Sequence, residues 1–354
     1  MANLKDTKPL LKDKARFLHE LASGLGRAQI FLTAVDLNLF TTLQEPKTAE
    51  VLSEERVYHH EVLQKLLDVL TSFGLLIRDG DQYWTAPDMA PFLVEGSPYY
   101  ARNLQFTLKE CDKWMKLKQI LQEGPLESEE RQYEHNFDRV TIDWIARDAM
   151  LGRVQETLKI ISEFPEFKTA HKMIDLGGGH GLVAIGCAQE NPQLETVVFD
   201  QPGVVDITQE YINRYGMRDR VRVMAGDYTK DSIGNDYDLA FCALSFDGNR
   251  EDSTAFYREV YKAMKNDALL IIQTYTIDDD RKRPQTTLIW DLKHSMWGNG
   301  QIHIHTNAQL FSILEESGFK GEKVIDMSES LVLPYRMIIA RKTSCKTLKS
   351  TTNK

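Results

Sequence analysis

Residues 172–181 read KMIDLGGGHG, and this stretch decides the fold. The apolar run at its start predicts a buried strand, and the apolar residues 182–189 predict a helix after the glycines. Glycines between a strand and a helix let the backbone approach a ligand closely, and the helix N-terminus offers free N–H groups. The stretch therefore predicts a nucleotide-like ligand at the end of a strand.

Two ligand classes fit these glycines. Residues 179–184, GHGLVA, satisfy the G-x-G-x-x-A pattern of dinucleotide binding. The same loop also reads D-x-G-x-G-x-G through Asp175, Gly177, Gly179 and Gly181, which resembles motif I of the methyltransferases that use S-adenosylmethionine (SAM). Asp200 ends the next apolar run, where a carboxylate can accept hydrogen bonds from ribose hydroxyls in either class.

A third segment separates the two classes. The run VRVM at 221–224 predicts another strand and is followed by AGDY. Together with the glycine loop and FDQPGVV at 199–205, this order resembles the small-molecule O-methyltransferase family of plant phenolic, vertebrate hydroxyindole and bacterial polyketide and bacteriochlorophyll enzymes. The resemblance extends from about Ala15 to Lys342. It implies a SAM-dependent enzyme that methylates a small aromatic or macrocyclic metabolite.

Strands and helices alternate after residue 172, which predicts an α/β fold with a Rossmann-like, doubly wound sheet. Ligands of such sheets bind at the carboxyl ends of the strands. The resemblance places the SAM contacts at these ends. The predicted SAM-binding residues are Asp175, Gly177, Gly179, Gly181, Asp200, Gln201, Gly226, Asp227, Tyr228 and Leu244.

Residues 15–123 predict a second, mostly helical domain. Helical spacing of apolar residues covers 15–43 and 57–73, and residues 75–85 predict a hairpin, so together they form a winged-helix module. The apolar excess at 30–40 favours burial against a second subunit as well as against the local core, and the resemblance implies a homodimer. The second long helix carries Glu61, Lys65 and Asp68 rather than a basic stripe, which argues against nucleic acid as a partner.

The composition of the chain argues against several classes of partner and binding site. A net charge of −9 also disfavours nucleic acid, and no apolar run approaches the ~20 residues that span a bilayer. The N-terminus lacks the apolar core of a secretory signal, which predicts a cytoplasmic protein. The four cysteines form no C-x-x-C pair, and no metal site is predicted. We expect a flexible arm at 1–14, a linker at 124–139, the catalytic domain at 140–342 and a disordered tail at 343–354.

The segment after the fourth strand departs from the family pattern. Many relatives carry a histidine base there in a Leu-His-Asp-Trp motif, whereas this chain reads LSFD at 244–247. Ser245 takes the place of the histidine and cannot act as a base near neutral pH without a partner. His294, in the stretch WDLKHSMW at 290–297, is the candidate base or substrate contact, and the resemblance to the bacteriochlorophyll enzymes implies a histidine near here that handles substrate. Asp291 lies three residues earlier and shares its helical face.

Apolar and aromatic side chains predict a pocket that accepts an aromatic substrate. The pocket residues that this pattern predicts are Phe246, Trp290, Met296 and Trp297, and the resemblance implies that Trp144, Met150 and Arg153 also line the pocket. His303 and His305 flank Ile304 and should point the same way on an extended segment. Two histidines are too few ligands for a metal site.

Three functions remain open at this stage. The first is SAM-dependent O-methylation of a small molecule. The second keeps SAM and the fold but methylates nitrogen, carbon or sulfur, or uses SAM without methyl transfer. The third is a non-catalytic SAM-binding dimer. The intact SAM motifs favour the two functions that use SAM in catalysis or as a cofactor. Ser245 in place of the histidine base makes O-methylation less favoured and the second function more favoured.

Overall fold

The structure is a computed structural model that describes residues 11–97, 99–101, 103–125, 137–228, 230–296 and 303–343. The chain divides into two compact units, residues 1–118 and 119–354, each with its own apolar core. Most of the predicted N-terminal arm, of the linker and of the C-terminal tail lies outside the described residues. No helix in the described ranges is long and apolar enough to cross a membrane.

The first unit combines helices with a small antiparallel sheet of order β1-β3-β2. Its elements, with α7 following, are α1 (Lys12–Asp36), α2 (Leu39–Thr42), β1 (Lys47–Thr48), α3 (Ala49–Arg56), α4 (His60–Ser72), β2 (Leu76–Asp79), β3 (Gln82–Thr85), α5 (Ala90–Leu93), α6 (Asn103–Met115) and α7 (Leu117–Glu123). The Thr48 hydroxyl caps α3 by accepting from the Val51 N–H at 3.2 Å. The predicted order of helices and hairpin is thus present.

Two boundaries in this unit differ from the expectation. The helix expected over 15–43 ends at Asp36, because Asn38 adopts a left-handed φ of 51°. The helix expected from residue 57 begins only at His60, because Val57 also has a positive φ, 57°. Gly74, with φ 76°, follows the end of α4 as predicted. Helical periodicity alone does not reveal such single-residue breaks.

The apolar residues of α1 fall into two sets. Those near its C-terminal end, such as Leu32 and Val35, are buried in the unit's own core with Phe40. The exposed set lies earlier, on one face of the helix: Phe17, Leu18, Leu21 and Leu25 are 57–66% exposed. The segment 30–40 therefore fills a local core. The exposed set, which we call the α1 face, is an apolar surface available to a second subunit.

The second unit is built on a seven-stranded sheet of order β6-β5-β4-β7-β8-β10-β9. Its remaining elements are α8 (Arg139–Asp148), α9 (Val154–Ser162), α10 (Pro165–Thr169), β4 (Lys172–Leu176), α11 (Leu182–Glu190), β5 (Glu195–Asp200), α12 (Pro202–Arg214), β6 (Val221–Ala225), β7 (Tyr237–Ala243), α13 (Arg250–Ala263), β8 (Met264–Thr274), α14 (Gln285–Met296), α15 (Asn307–Glu316), β9 (Phe319–Asp326) and β10 (Arg336–Lys342). Strands β4 to β8 are mutually parallel, and β10 is antiparallel to both of its neighbours. The predicted doubly wound sheet is confirmed.

Alternate residues of the central strands fill cores on the two faces of this sheet. Ile174 and Leu176 of β4 belong to one apolar cluster, whereas Met173 belongs to another. Strand β4 lies between β5 and β7, and the chain winds outward from it in both directions. The carboxyl ends of β4 and β7 thus form the switch point where such sheets bind ligands.

One break lies in the helical segment expected over 140–164. A π-helical turn, Ala149–Arg153, separates α8 from α9. Within it Leu151 leaves the helical region, and Gly152 has a φ of 121° that favours glycine. The turn changes the direction in which Arg153 projects relative to a continuous α-helix.

Candidate active site

The glycine loop after β4 is shaped by three residues with positive φ. Gly177, Gly179 and Gly181 have φ values of 64°, 54° and 70°, and Gly181 is the N-cap of α11. A Cβ on Gly177 would lie 2.9 Å from the Ser245 Cβ, so the loop packs closely against the segment after β7. A Cβ on Gly179 would meet nothing nearer than Ile142, at 3.8 Å. The backbone at Gly179 therefore has open space for a ligand.

Asp200, at the end of β5, holds this loop in place through a hydrogen bond. Its Oδ2 accepts a hydrogen bond from the Gly179 N–H at 2.8 Å, and its Oδ1 accepts one from the Gln201 N–H at 2.7 Å. Burial raises the pKa of Asp200, and these two hydrogen bonds oppose the rise. Because a carboxylate has about four acceptor positions, two are left for hydroxyls of a ligand.

Asp175 lies buried beneath the loop, 1% exposed. Neither carboxyl oxygen forms a full hydrogen bond, and a Cβ on Gly178 would come within 2.8 Å of the Asp175 carboxyl carbon. Burial first, and the charge of Asp200 second, raise the pKa of Asp175 to about 7, against a lowering by the Ala184 N–H. Unsatisfied acidic oxygens under a glycine cradle suit a ligand that brings positive charge or hydrogen-bond donors.

The segment after β6, residues 226–228, lies beside the glycine loop and forms another wall of the site. A Cβ on Gly226 would lie 2.6 Å from the Phe199 ring, so this glycine also allows close packing. Asp227 forms an ion pair with Lys230 at 2.7 Å. The Tyr228 hydroxyl donates to the Ser245 carbonyl, and burial is the main cause of its raised pKa. Tyr228 thereby links the ends of β6 and β7.

Ser245 holds the segment after β7 in place. Its hydroxyl donates to the carbonyl of Leu176, the last residue of β4. Leu244, with a φ of 52°, donates its N–H to the Gln273 carbonyl at 2.9 Å. The hydroxyl that occupies the predicted base position is therefore engaged with backbone.

A cavity of about 20 Å³, enough for one water molecule, lies beside this segment. Its walls are Phe246, Asp247, Ser253, Tyr257, Thr274, Tyr275, Thr276, His303, His305 and Leu310. Burial raises the pKa of Asp247 to about 6. Asp247 is thus a carboxylate more basic than usual, two residues from the serine that packs on the glycine loop.

His303 and His305 face this cavity together, as their alternation predicts. The His303 N–H donates to the Asp247 carbonyl at 2.8 Å, and the His305 Nε2 lies 3.2 Å from the Gly248 carbonyl. Burial is the main cause of the lowered pKa of His305. No group of three or more potential metal ligands is found among the described residues.

Helix α14 presents the other predicted catalytic side chains. Asp291 forms an ion pair with Arg281 at 2.6 Å, and His294 is half-buried one turn later. The Trp290 ring meets the Tyr275 ring edge-on at 4.6 Å. Met296 is buried, and the predicted pocket residue Trp297 lies outside the described residues.

The predicted pocket residues of α8 and the π turn differ in exposure. Trp144 on α8 is half-buried, and Met150 in the π turn is exposed. Phe246, in contrast, stacks on Phe256 at 4.7 Å and forms part of the cavity wall. Asp247, which also lines this cavity, was not among the residues predicted from the sequence, although it is an acid shortly after an apolar strand.

Two family models match the chain. Residues 114–320 match an O-methyltransferase domain, and residues 19–96 match an O-methyltransferase dimerisation domain. The first match covers the glycine loop, the cavity and α14.

Relatives of known sequence match over most of their length. An uncharacterized protein of Methanocaldococcus jannaschii is 30% identical over 90% of this chain and 88% of its own length. The N,N-dimethyltransferase OxyT of Streptomyces rimosus is 26% identical over 87% of this chain and 91% of its own. The solved structure of human N-acetylserotonin methyltransferase in complex with SAM has a TM-score of 0.72 at 21% identity, covering 97% of this chain and all of that one. That likeness establishes the fold.

Proposed function

This chain belongs to the O-methyltransferase family, and from that premise we propose that it transfers a methyl group from SAM to an oxygen atom of a small molecule. The family's dimerisation domain makes the protein a homodimer. The observation that carries the proposal is the glycine loop fastened by Asp200 above the unsatisfied carboxyl of Asp175. We further propose a cytoplasmic location, which cell fractionation would test.

The residues around the loop fit SAM. Open space at Gly179 and the acceptor positions of Asp200 suit a ribose, and the Asp175 carboxyl suits a ligand that carries positive charge. When bound, SAM supplies an electrophilic methyl group. The proposed SAM contacts are Asp175, Gly177, Gly179, Gly181, Asp200, Gln201, Gly226, Asp227, Tyr228 and Leu244.

The acceptor hydroxyl must lose a proton, and we propose Asp247 as the group that takes it. A general base works best with a pKa near the operating pH, and Asp247, with a pKa of about 6, is ionised at pH 7 yet more basic than an ordinary aspartate. Its carboxyl lines the cavity next to the segment that packs on the glycine loop. In this proposal one carboxylate oxygen of Asp247 would accept the proton of the acceptor hydroxyl, while SAM would supply the methyl group and leave as S-adenosylhomocysteine.

The other predicted catalytic residues receive supporting roles in this proposal. Ser245 positions the segment that carries Asp247, since its hydroxyl is bonded to Leu176. Asp291 steadies α14 through Arg281. His294 contacts the substrate from the same helix. The apolar walls are Trp144, Met150, Phe246, Trp290 and Met296, with Trp297 retained from the sequence.

Replacing Asp200 by alanine tests SAM binding. The change removes the proposed ribose acceptor and the bond to the Gly179 N–H, so we expect SAM affinity to fall by about 1–3 kcal/mol. Calorimetric titration with SAM measures the loss, and Asp206→Ala, an exposed acid on α12, serves as the control. An Asp200→Ala protein with wild-type affinity would show that Asp200 does not contact the ligand.

Replacing His294 by alanine tests its substrate contact. We expect turnover to fall while SAM affinity stays at the wild-type value, because the side chain acts on the acceptor. The checks are methyl transfer from labelled SAM and calorimetry on the same sample. Unchanged turnover in His294→Ala would show that His294 does not contact the substrate.

A panel of acceptors separates oxygen from the other nucleophiles. One relative is an N,N-dimethyltransferase, so amines belong in the panel beside phenols and thiols. Label transfer to phenols supports the proposal, and transfer to amines alone would move the chain to N-methylation. SAM binding without transfer to any compound would favour a non-catalytic dimer.

A further inference from the structure

Arg336 is a buried arginine on the edge of the sheet that carries the proposed reaction site. It is the first residue of β10 and pairs in register with Thr274, which ends β8 and forms part of the cavity wall. Its side chain is 5% exposed, and a guanidinium stays charged at any physiological pH. A buried ion pair often stabilises a fold no better than apolar residues of the same size. Stability alone therefore does not account for an arginine at this position.

The guanidinium connects three segments of the chain. Its Nη2 forms ion pairs with Asp278, in the segment after β8, and with Asp326, the last residue of β9, at 3.7 Å. Its Nη1 lies 3.3 Å from the Thr276 hydroxyl oxygen and 3.5 Å from the Asn307 Oδ1. The Thr276 hydroxyl donates to the same Oδ1 at 2.7 Å. A lysine, with its single nitrogen, could not make all of these contacts at once.

These contacts fix one end of residues 303–307, which we call the histidine segment. Asn307 begins α15, and its N–H donates to the Ile277 carbonyl at 3.1 Å. The Ile277 N–H donates in turn to the His305 carbonyl, also at 3.1 Å. Side-chain contacts with Arg336 and backbone contacts with Ile277 therefore hold this end of the histidine segment against the residues that follow β8.

The other end of the histidine segment lies against the proposed base. His303 donates its N–H to the Asp247 carbonyl at 2.8 Å. His303 and His305 line the cavity with Asp247, and the other titratable groups in its wall are Tyr257 and Tyr275. Burial is the cause of the raised pKa of Asp247. Because the histidine segment supplies part of the wall around Asp247, its position affects how basic that carboxylate is.

We propose that Arg336 is a positioning residue that holds the histidine segment over Asp247. It acts through its contacts with Thr276 and Asn307. This inference rests on the proposed function and adds a residue that serves the reaction through other side chains. Loss of Arg336 should therefore change the pH dependence of turnover and leave SAM binding unchanged.

Arg336→Lys tests this role because it keeps the charge and removes the forked contacts. We expect Asp247 to become more exposed, so the pH below which turnover falls should shift from about 6 downward by about one unit. Hydrogen–deuterium exchange at the amides of residues 303–307 should become faster. Arg341→Lys is the matched control near the far end of β10, where the arginine pairs with Glu166 and Glu322. It should leave both measurements unchanged.

Asn307→Ala is a second test that keeps Arg336 and its ion pairs, and it decides the question if Arg336→Lys does not fold. It removes the shared Oδ1 acceptor and should give the same shift and the same faster exchange. Wild-type pH dependence and exchange in the folded variants would overturn the inference. So would equal changes in Arg341→Lys.

Calorimetric titration with S-adenosylhomocysteine separates this inference from the proposed function. The wild type, both test variants and the control should bind it with equal affinity. Weaker binding in the two test variants alone would overturn the positioning role, because the effect would then extend to the glycine loop. Failure of the wild type to bind would instead refute the proposed function.

Discussion

Replacing Asp247 by asparagine is expected to lower turnover about 10²- to 10⁴-fold, the usual contribution of a general base. Asparagine keeps the size and polarity of the side chain but cannot accept the proton. SAM affinity should not change, because Asp200 and the glycine loop are untouched. Single-turnover methyl transfer and calorimetric titration on the same preparation measure the two quantities separately.

The pH dependence gives this prediction a second readout. As the proposed base, Asp247 can accept a proton only when it is ionised, so wild-type turnover should fall as the pH drops through about 6. The asparagine variant should lose this acidic limb and retain a low, flat rate. Glu251→Gln, an exposed acid a few residues later, is the control and should keep both rate and profile. If Asp247→Asn keeps near wild-type turnover and the same fall in turnover at acidic pH, Asp247 is not the base.

We expect Asp247→Asn to raise the free energy of unfolding at pH 7 although it lowers turnover. The folded-state pKa of Asp247 is raised by burial, so the native state binds more protons than the unfolded chain between the ordinary value of 3.8 and about 6. The free energy of unfolding therefore falls as the pH rises through this window. At pH 7 the asparagine variant avoids burying a charge and should be more stable to urea, which would rule out misfolding as the cause of lost turnover.

A double substitution on the α1 face, Leu21→Asp with Leu25→Asp, is expected to turn the dimer into a monomer at micromolar concentration. Both leucines are more than half exposed in the single chain and lie within the dimerisation match. Burying each contributes about 1.5–3 kcal/mol, and a two-fold interface repeats every contact. Two buried carboxylates per subunit add a desolvation cost.

Sedimentation velocity measures this change directly. His19→Asp is the control, since it adds one negative charge to α1 about 200° around the helix from Leu21. The control should remain dimeric. If the double variant also sediments as a dimer, the interface lies elsewhere on the first unit and the α1 face is covered by another contact.

The parts of the fold that the sequence predicts are those with local signals. Strand β4, the glycines and α11 agree with the expectation to within a residue, because an apolar run, four glycines and a second apolar run follow each other directly. The parallel order of the sheet follows from alternation of strands and helices. The π turn was missed because helical spacing continues on both sides of it and only Gly152 marks the break.

The chemistry of the site depends on contacts between distant segments. Burial raises the pKa of Asp247, and part of the cavity wall around it comes from residues more than 50 positions later, including His303 and His305. The sequence around residue 247 contains no pattern that predicts the burial of this side chain. In the same way, the apolar excess at 30–40 is visible in the sequence, but whether it faces its own core or a second subunit is a tertiary property.

The π turn before α9 also bears on how relatives of this protein are compared. One residue more or fewer in a helical segment rotates every later side chain by about 100° relative to the earlier ones. The directions of the side chains on α9 relative to those on α8 therefore depend on the length of the segment 149–153 as well as on its residues. A relative with arginine in the same alignment column but with a segment of different length would direct that arginine elsewhere.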